Sequence, residues 1–150
     1  MNKPTLYIIC GLSGSGKSTI ATQIANENPN TIIISSDAIR EELTGNYEDQ
    51  EHNEEVFKIF HNRIRKNLEN KKNVIADATN LTMKSRRAIM MKVNGLNVRK
   101  VCVIIPKPFE WCKEDNLHRE HPVPDFVLDK QIRKFQIPFY EEGFDEIIIH

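Results

Sequence analysis

Short apolar runs separated by longer mixed stretches set the rhythm of the chain. The runs are TLYIIC (5–10), TIIIS (31–35), NVIA (73–76), VRKVCVII (98–105) and EIIIH (146–150). Most are rich in β-branched residues and lack the polar alternation of a half-exposed strand, so they predict strands of a parallel sheet buried on both faces. The stretches between them predict helices over 17–27, 38–43, 51–70, 83–93, 108–119 and 125–135. In the longest of these, Val56, Ile59, Phe60, Ile64 and Leu68 recur at helical spacing. That stripe reads as core rather than as a ligand site. Pro124 beside Asp125 marks the start of the last helix, and NGLN (94–97) marks the turn that ends the fourth. Strand alternating with helix predicts a doubly wound α/β sandwich, and no internal repeat, low-complexity tract or linker divides it.

Composition adds limits. A chain of 150 residues with 39% hydrophobic content suffices for one compact domain, taken here as 1–150. Lys plus Arg and Asp plus Glu each number 21, so no global charge announces a nucleic-acid coat or an acidic partner. Charge is segregated locally instead: residues 41–55 hold seven acidic side chains and no Lys or Arg, while residues 78–109 hold seven Lys or Arg and no acid. The second segment is either a locally basic face or an ordinary solvated surface. Cys10, Cys102 and Cys112 show no C-x-x-C spacing and lie in apolar or mixed contexts, the pattern of reduced, buried thiols rather than of a disulfide framework. The apolar run near the N-terminus is too short for a signal peptide, and no window approaches the roughly 20 apolar residues of a membrane span. A soluble, cytoplasmic protein without a membrane partner is expected, and nothing in the pattern bears on oligomeric state.

The strongest chemical signal follows the first strand directly. In GLSGSGKST, Gly11, Gly16, Lys17 and Ser18 fill the G-x-x-x-x-G-K-[ST] pattern. Backbone amides of the loop, Ser13, Gly14, Ser15 and Gly16 included, and of the following helix start at Lys17, Ser18 and Thr19 would surround phosphates. Lys17 would reach the β- and γ-oxygens, and Ser18 would hold Mg²⁺. ATP or GTP with Mg²⁺ is implied, and GTP is the less favoured because no N-K-x-D type guanine-reading segment is present.

Ligands of open α/β sheets lie beyond the carboxyl ends of the strands, so the acceptor should be found there too. Asp37 and Arg40 follow the second strand. Asp37 would orient an acceptor hydroxyl and take its proton while Arg40 grips an anionic group; alternatively Asp37 caps the next helix and Arg40 is solvated. After the third strand come Asp77, Thr79 and Asn80, then Arg86 and Arg87 early in a helix, where two cations oppose the helix dipole unless an anion lies nearby. Asp77 would hold a Mg²⁺-bound water or serve as a structural acceptor. In EDNLHREHPVP (114–124), Arg119 suits a lid that stabilises charge on a transferring phosphoryl group, or is simply part of a charged interhelical loop. His118 and His121, with Asp115 and Glu120, match no metal-ligand spacing and read as solvated, as do His52 and His61 on the long helix.

Taken in order, GLSGSGKST, SSDAIR, DATNL with SRR, DNLHRE with PVP, and EGFDEI resemble the P-loop kinase family that includes phage and bacterial polynucleotide 5′-kinases. The likeness covers nearly the whole chain. It implies a P-loop NTPase fold, a three-layer sandwich with a central parallel sheet and a small helical lid. It also implies transfer of the γ-phosphate of ATP to the 5′-hydroxyl of a nucleic acid or a nucleotide-like acceptor. By position, Lys17 and Ser18 resemble the phosphate and Mg²⁺ residues, Asp37 the general base, Arg40 the contact to the acceptor's phosphate, and Arg119 the lid arginine. Asp77 stands one place earlier than the carboxylate of the phage enzyme's D-T-N run. Two other classes share the phosphate machinery: a small-molecule kinase, and an ATP-hydrolysing switch, which leaves Asp37 and Arg40 without a task.

Overall fold

The computed structural model describes residues 3–46 and 49–150, so Glu48 of the acidic stretch lies outside the described residues. The predicted strands form as β1 (Thr5–Cys10), β2 (Thr31–Ser35), β3 (Asn73–Asp77), β4 (Arg99–Ile104) and β5 (Glu146–Ile149). The helices are α1 (Lys17–Glu27), α2 (Ser36–Thr44), α3 (Asn53–Glu69), α4 (Met83–Lys92), α5 (Phe109–Leu117) and α6 (Asp125–Lys134). A 3₁₀ turn over Tyr140–Glu142, absent from the sequence prediction, precedes β5. Two boundaries differ in a way that matters for the site. Helix α2 starts at Ser36 because the Ser35 hydroxyl accepts from the Ala38 amide at 3.2 Å, and β3 runs on to Asp77, which pairs in register with Ser35.

Every strand pair is parallel, in the order β2-β3-β1-β4-β5. Strand β1 therefore sits in the middle, with β3 and β2 on one side of it and β4 and β5 on the other. The crevice beyond its carboxyl end is where such sheets bind ligands. One face of the sheet packs α3 through Val56, Phe60, Ile64 and Leu68, together with Ile39 of α2 and Ile89 of α4. The stripe predicted in the long helix is thus core, with Ile59 partly buried against it. The other face packs α1 through Ala21, Ile20 and Ile24 against Ile9, Ile75, Val101 and Val103. Helices α5 and α6 pack on each other beyond the strand ends. The result is a three-layer parallel α/β sandwich with a small helical lid. Among the described residues no helix is long and apolar enough to cross a membrane.

Candidate active site

The Gly11–Gly16 loop carries the chain from the end of β1 into α1. It is fastened at its root, where the Gly11 amide donates to the Thr79 carbonyl at 3.0 Å. Gly14 and Gly16 adopt φ of 79° and 93°, left-handed backbone that glycine reaches without steric cost. Gly16 is the N-cap of α1; it supplies no side-chain cap, and no acid occupies the first turn. The helix start therefore presents uncapped amides and the positive end of its dipole, the environment an anion seeks. The buried Ser15 hydroxyl oxygen has no hydrogen-bond partner. An orphaned polar atom inside a ring of amides is what a bound phosphate would satisfy, so these residues fit a nucleotide's phosphates. Lys17 curls back over the loop, its Nζ donating to the Leu12 carbonyl at 3.1 Å. Ser18 and Thr19 are exposed on the first turn of α1.

Lys17 and Arg119 line the same cavity over this loop, and Asp77 and Asp37 lie near enough for their charges to act on Lys17. Burial pushes the Lys17 ammonium below its ordinary range, against the pull of Asp77 and then Asp37, while Arg119 pushes it down further. Burial likewise raises the carboxyl of Asp77, opposed by Lys17 and Arg119 and reinforced by Asp37. The structure thus brings together residues from β3, α1, α2 and the α5–α6 loop. Capping of α2 falls to Ser35, which leaves the Asp37 carboxylate, 56% exposed, for the cleft. One turn on, Arg40 is buried, donating through Nη1 to Asp37 at 2.7 Å and through Nη2 to Asn53 at 2.9 Å. Its Nε–H has no partner.

Beyond the loop lies an open cavity of about 350 Å³, between Gly14, Gly16, Lys17, Ser18 and Thr19 on one side and Lys107, Asp115 of α5 and Arg119 on the other. Lys107 is ion-paired with Asp115 and also reaches the Gly14 carbonyl at 3.4 Å.

Residues 6–138 match the family described as AAA domain. The chain belongs to this family. A curated relative, the L-seryl-tRNA(Sec) kinase of Methanococcus maripaludis, is 30% identical over 145 residues, covering 93% of this chain and 56% of the relative. The chain thus spans little more than half of that protein. A chain in the structure of the Pnkp1/Rnl/Hen1 RNA repair complex superposes with a TM-score of 0.79 at 24% identity, covering 97% of this chain and 47% of that one. Chaetomium thermophilum Kti12 in complex with ADP-AlF3 superposes with a TM-score of 0.78 at 14% identity, over 97% and 88% of the two chains. At such identities the superpositions establish the fold, a P-loop kinase fold.

Within this AAA domain, several residues read from sequence as acceptor contacts are used elsewhere. Arg86 is fully buried, and its Nε and Nη2 donate to the two carboxylate oxygens of Glu142 at 2.8 and 3.1 Å. Its Nη1 donates to the Asn80 carbonyl at 2.9 Å. The anion expected near the start of α4 is therefore internal, and Arg86 is not placed to bind substrate. Asn80 is also buried, at φ 48°, with Nδ2 donating to the carbonyls of Ile9, Ala76 and Ala78. It ties the ends of β1 and β3 together beneath the phosphate loop, a structural task in place of substrate contact. Arg87 is exposed and lies beside Met90, Met91, Asn94 and Glu142, apart from the residues that line the cavity. His61 is half-buried against Phe57 and Phe60, and burial lowers its basicity. His118 and His121 are exposed, and His52 pairs with Asp49. Lys107, Asp115 and Gln131 were not predicted. Lys107 offered only a lone cation between two prolines, and Gln131 no signal beyond one amide on a polar helix.

Proposed function

We propose that this domain transfers the γ-phosphoryl group of ATP to a hydroxyl acceptor, the 5′-OH of a polynucleotide or of a nucleoside 3′-phosphate. The observation that carries the reading is that Lys17 and Arg119 line one cavity over an uncapped phosphate loop, with the charges of Asp77 and Asp37 acting on Lys17. A simple nucleotide-binding switch has no use for the exposed Asp37 carboxylate fixed by Arg40.

In this reading the acceptor hydroxyl lies against Asp37, which takes its proton as a bond forms between that oxygen and the γ-phosphorus. The bond from the γ-phosphorus to the β–γ bridging oxygen breaks, and ADP leaves. Lys17 and Arg119 balance the charge spread over the transferring group, and Arg40 fixes the rotamer of Asp37 while keeping one unpartnered donor for an anion on the acceptor. Ser18, with Asp77 nearby, would hold Mg²⁺, which neutralises phosphate charge when bound. Positioning and electrostatics supply most of the rate in such transfers, because little covalent chemistry is asked of the protein.

A second reading is favoured by the 30% identity to a kinase of L-seryl-tRNA(Sec): the acceptor is a hydroxyl on a group carried by RNA. Label from γ-phosphate-labelled ATP should be followed into a 5′-hydroxyl oligonucleotide, a nucleoside 3′-phosphate, a plain nucleoside and a seryl-tRNA. Label in the first two and not the others, reduced about a hundredfold or more in Asp37→Ala, supports the first reading. Label in the seryl-tRNA alone replaces it with the second. Unchanged transfer by a folded Asp37→Ala protein would remove the base assignment.

A further inference from the structure

The loop that carries Arg119 is fastened to the phosphate loop on both sides. On the α5 side, the Cys112 carbonyl lies so near Gly14 that a Cβ built there would sit 2.5 Å from it. On the α6 side, Gln131 grips Ser13 twice: its Oε1 accepts from the Ser13 amide at 2.9 Å and its Nε2 donates to the Ser13 hydroxyl at 2.9 Å. Between these attachments the neck of the loop is closed by Asn116, 1% exposed, whose side chain donates to the Val123 carbonyl at 2.7 Å and accepts from the Val123 amide at 3.0 Å. Arg119 therefore projects from a small closed loop whose two flanking helices both rest on residues 13 and 14. Few side chains can make the Gln131 contact, because it needs two polar atoms on one planar group, an acceptor facing the backbone N–H and a second atom that pairs with the hydroxyl of the same residue.

We propose that Gln131 is a positioning residue that sets the register of the Arg119 loop against the phosphate loop, so that an occupied phosphate site and a correctly placed lid arginine are one coupled arrangement. This rests on the reading of Arg119 as the lid arginine, and it adds the residue that places it. The contact also removes the Ser13 amide from the set available to phosphate, and the Ser15 amide is taken by the Leu12 carbonyl at 3.1 Å, which leaves Gly14 and Gly16 to Thr19 as the binding amides.

The test uses the full chain and a non-hydrolysable ATP analogue, and it needs no acceptor. Exchange of the Ser13 amide is followed by NMR, and analogue affinity is measured for wild type, Gln131→Ala, Gln131→Glu, Arg119→Ala and the Gln131→Ala/Arg119→Ala pair. Gln131→Ala should speed Ser13 exchange and weaken the analogue about tenfold, the loss expected of two hydrogen bonds that order a binding loop. Gln131→Glu, whose carboxylate accepts from both the amide and the hydroxyl, should keep the slow exchange. In the Arg119→Ala background the further loss from Gln131→Ala should fall to about twofold or less, because the clip acts through that arginine. Additive losses, or a Gln131→Ala protein with lowered thermal stability and unchanged affinity, would overturn the proposal while leaving the kinase reading intact. A wild-type protein that does not bind the analogue would overturn the kinase reading itself.

Discussion

Removing the Glu142 carboxylate is expected to be among the most damaging single changes to the stability of this protein. In Glu142→Ala the Arg86 guanidinium stays fully buried and loses its charged partner, whose two oxygens accept at 2.8 and 3.1 Å, keeping only the Asn80 carbonyl at 2.9 Å and a weak contact to the Cys10 sulfur. Leaving one member of a buried ion pair uncompensated costs about 3–5 kcal/mol. The Phe139 amide loses its acceptor as well, since it donates to the same carboxylate at 3.1 Å. A domain of this size shifts in Tm by roughly 2–4 °C per kcal/mol, so a fall of roughly 6–20 °C is expected. The informative variant is the double substitution Arg86→Met with Glu142→Leu, which replaces the pair by apolar groups of similar bulk and should be less destabilised than Glu142→Ala alone. Urea unfolding of the wild type, both singles and the double, read as a thermodynamic cycle, measures the coupling. A Glu142→Ala loss below about 1 kcal/mol, or a double variant whose loss equals the sum of the singles, would show that burial of the guanidinium is not what makes the pair matter.

Other expectations follow from the same geometry. Gly14→Ala and Gly16→Ala share the strain of a positive φ, about 1–2 kcal/mol, but only the former drives a Cβ into the Cys112 carbonyl, so Gly14→Ala should unfold at a clearly lower temperature. In Asp77, burial holds the folded carboxyl above its ordinary value of 3.8, so between that value and the raised one the folded state binds more protons than the unfolded. Wild-type stability relative to Asp77→Asn should therefore rise as pH falls through that window, and equal slopes in paired melts would refute the assignment. Burial pushes the thiols of Cys10 up to about 11 and Cys102 up to about 12, and Cys112 is buried too. Native protein at pH 8 should resist a thiol reagent until denaturant is added, and rapid labelling of any of the three would contradict their placement.

The strands were legible because a central strand covered on both faces removes the ambiguity of alternation, as in NVIA, whose Val74, Ile75 and Ala76 are all buried; TIIIS forms the edge strand, where Ile34 is buried and Ile33 exposed, and its β-branched run carried the prediction. The phosphate loop was equally legible, since its glycine spacing is dictated by backbone contact with phosphate and needs no distant partner. What misled was proximity in sequence. Asn80 and Arg86 stand beside Asp77 and so looked like acceptor chemistry. Their roles are decided by the carbonyl of Ile9, 71 residues before Asn80, and the carboxylate of Glu142, 56 residues after Arg86. No local pattern encodes such pairings. Gln131 was invisible for the same reason: its partner Ser13 lies 118 residues away, and a glutamine on a polar helix announces nothing.

The central place of β1 also shapes how the chain acquires its structure. Both neighbours of this strand come much later in the sequence: Leu6 is in register with Val74, and Thr5 with Arg99. At synthesis rates of about 5–20 residues per second, the apolar run that becomes the middle of the sheet waits roughly 3–14 s for β3, and longer for β4, with its backbone donors and acceptors unpaired. Pairing must then close long loops before any of it is rewarded, which slows folding and prolongs exposure of a sticky segment. The strand that supports the phosphate loop is thus made first and completed late, and a nascent chain stalled before residue 73 would present it bare to chaperones or to other copies of itself.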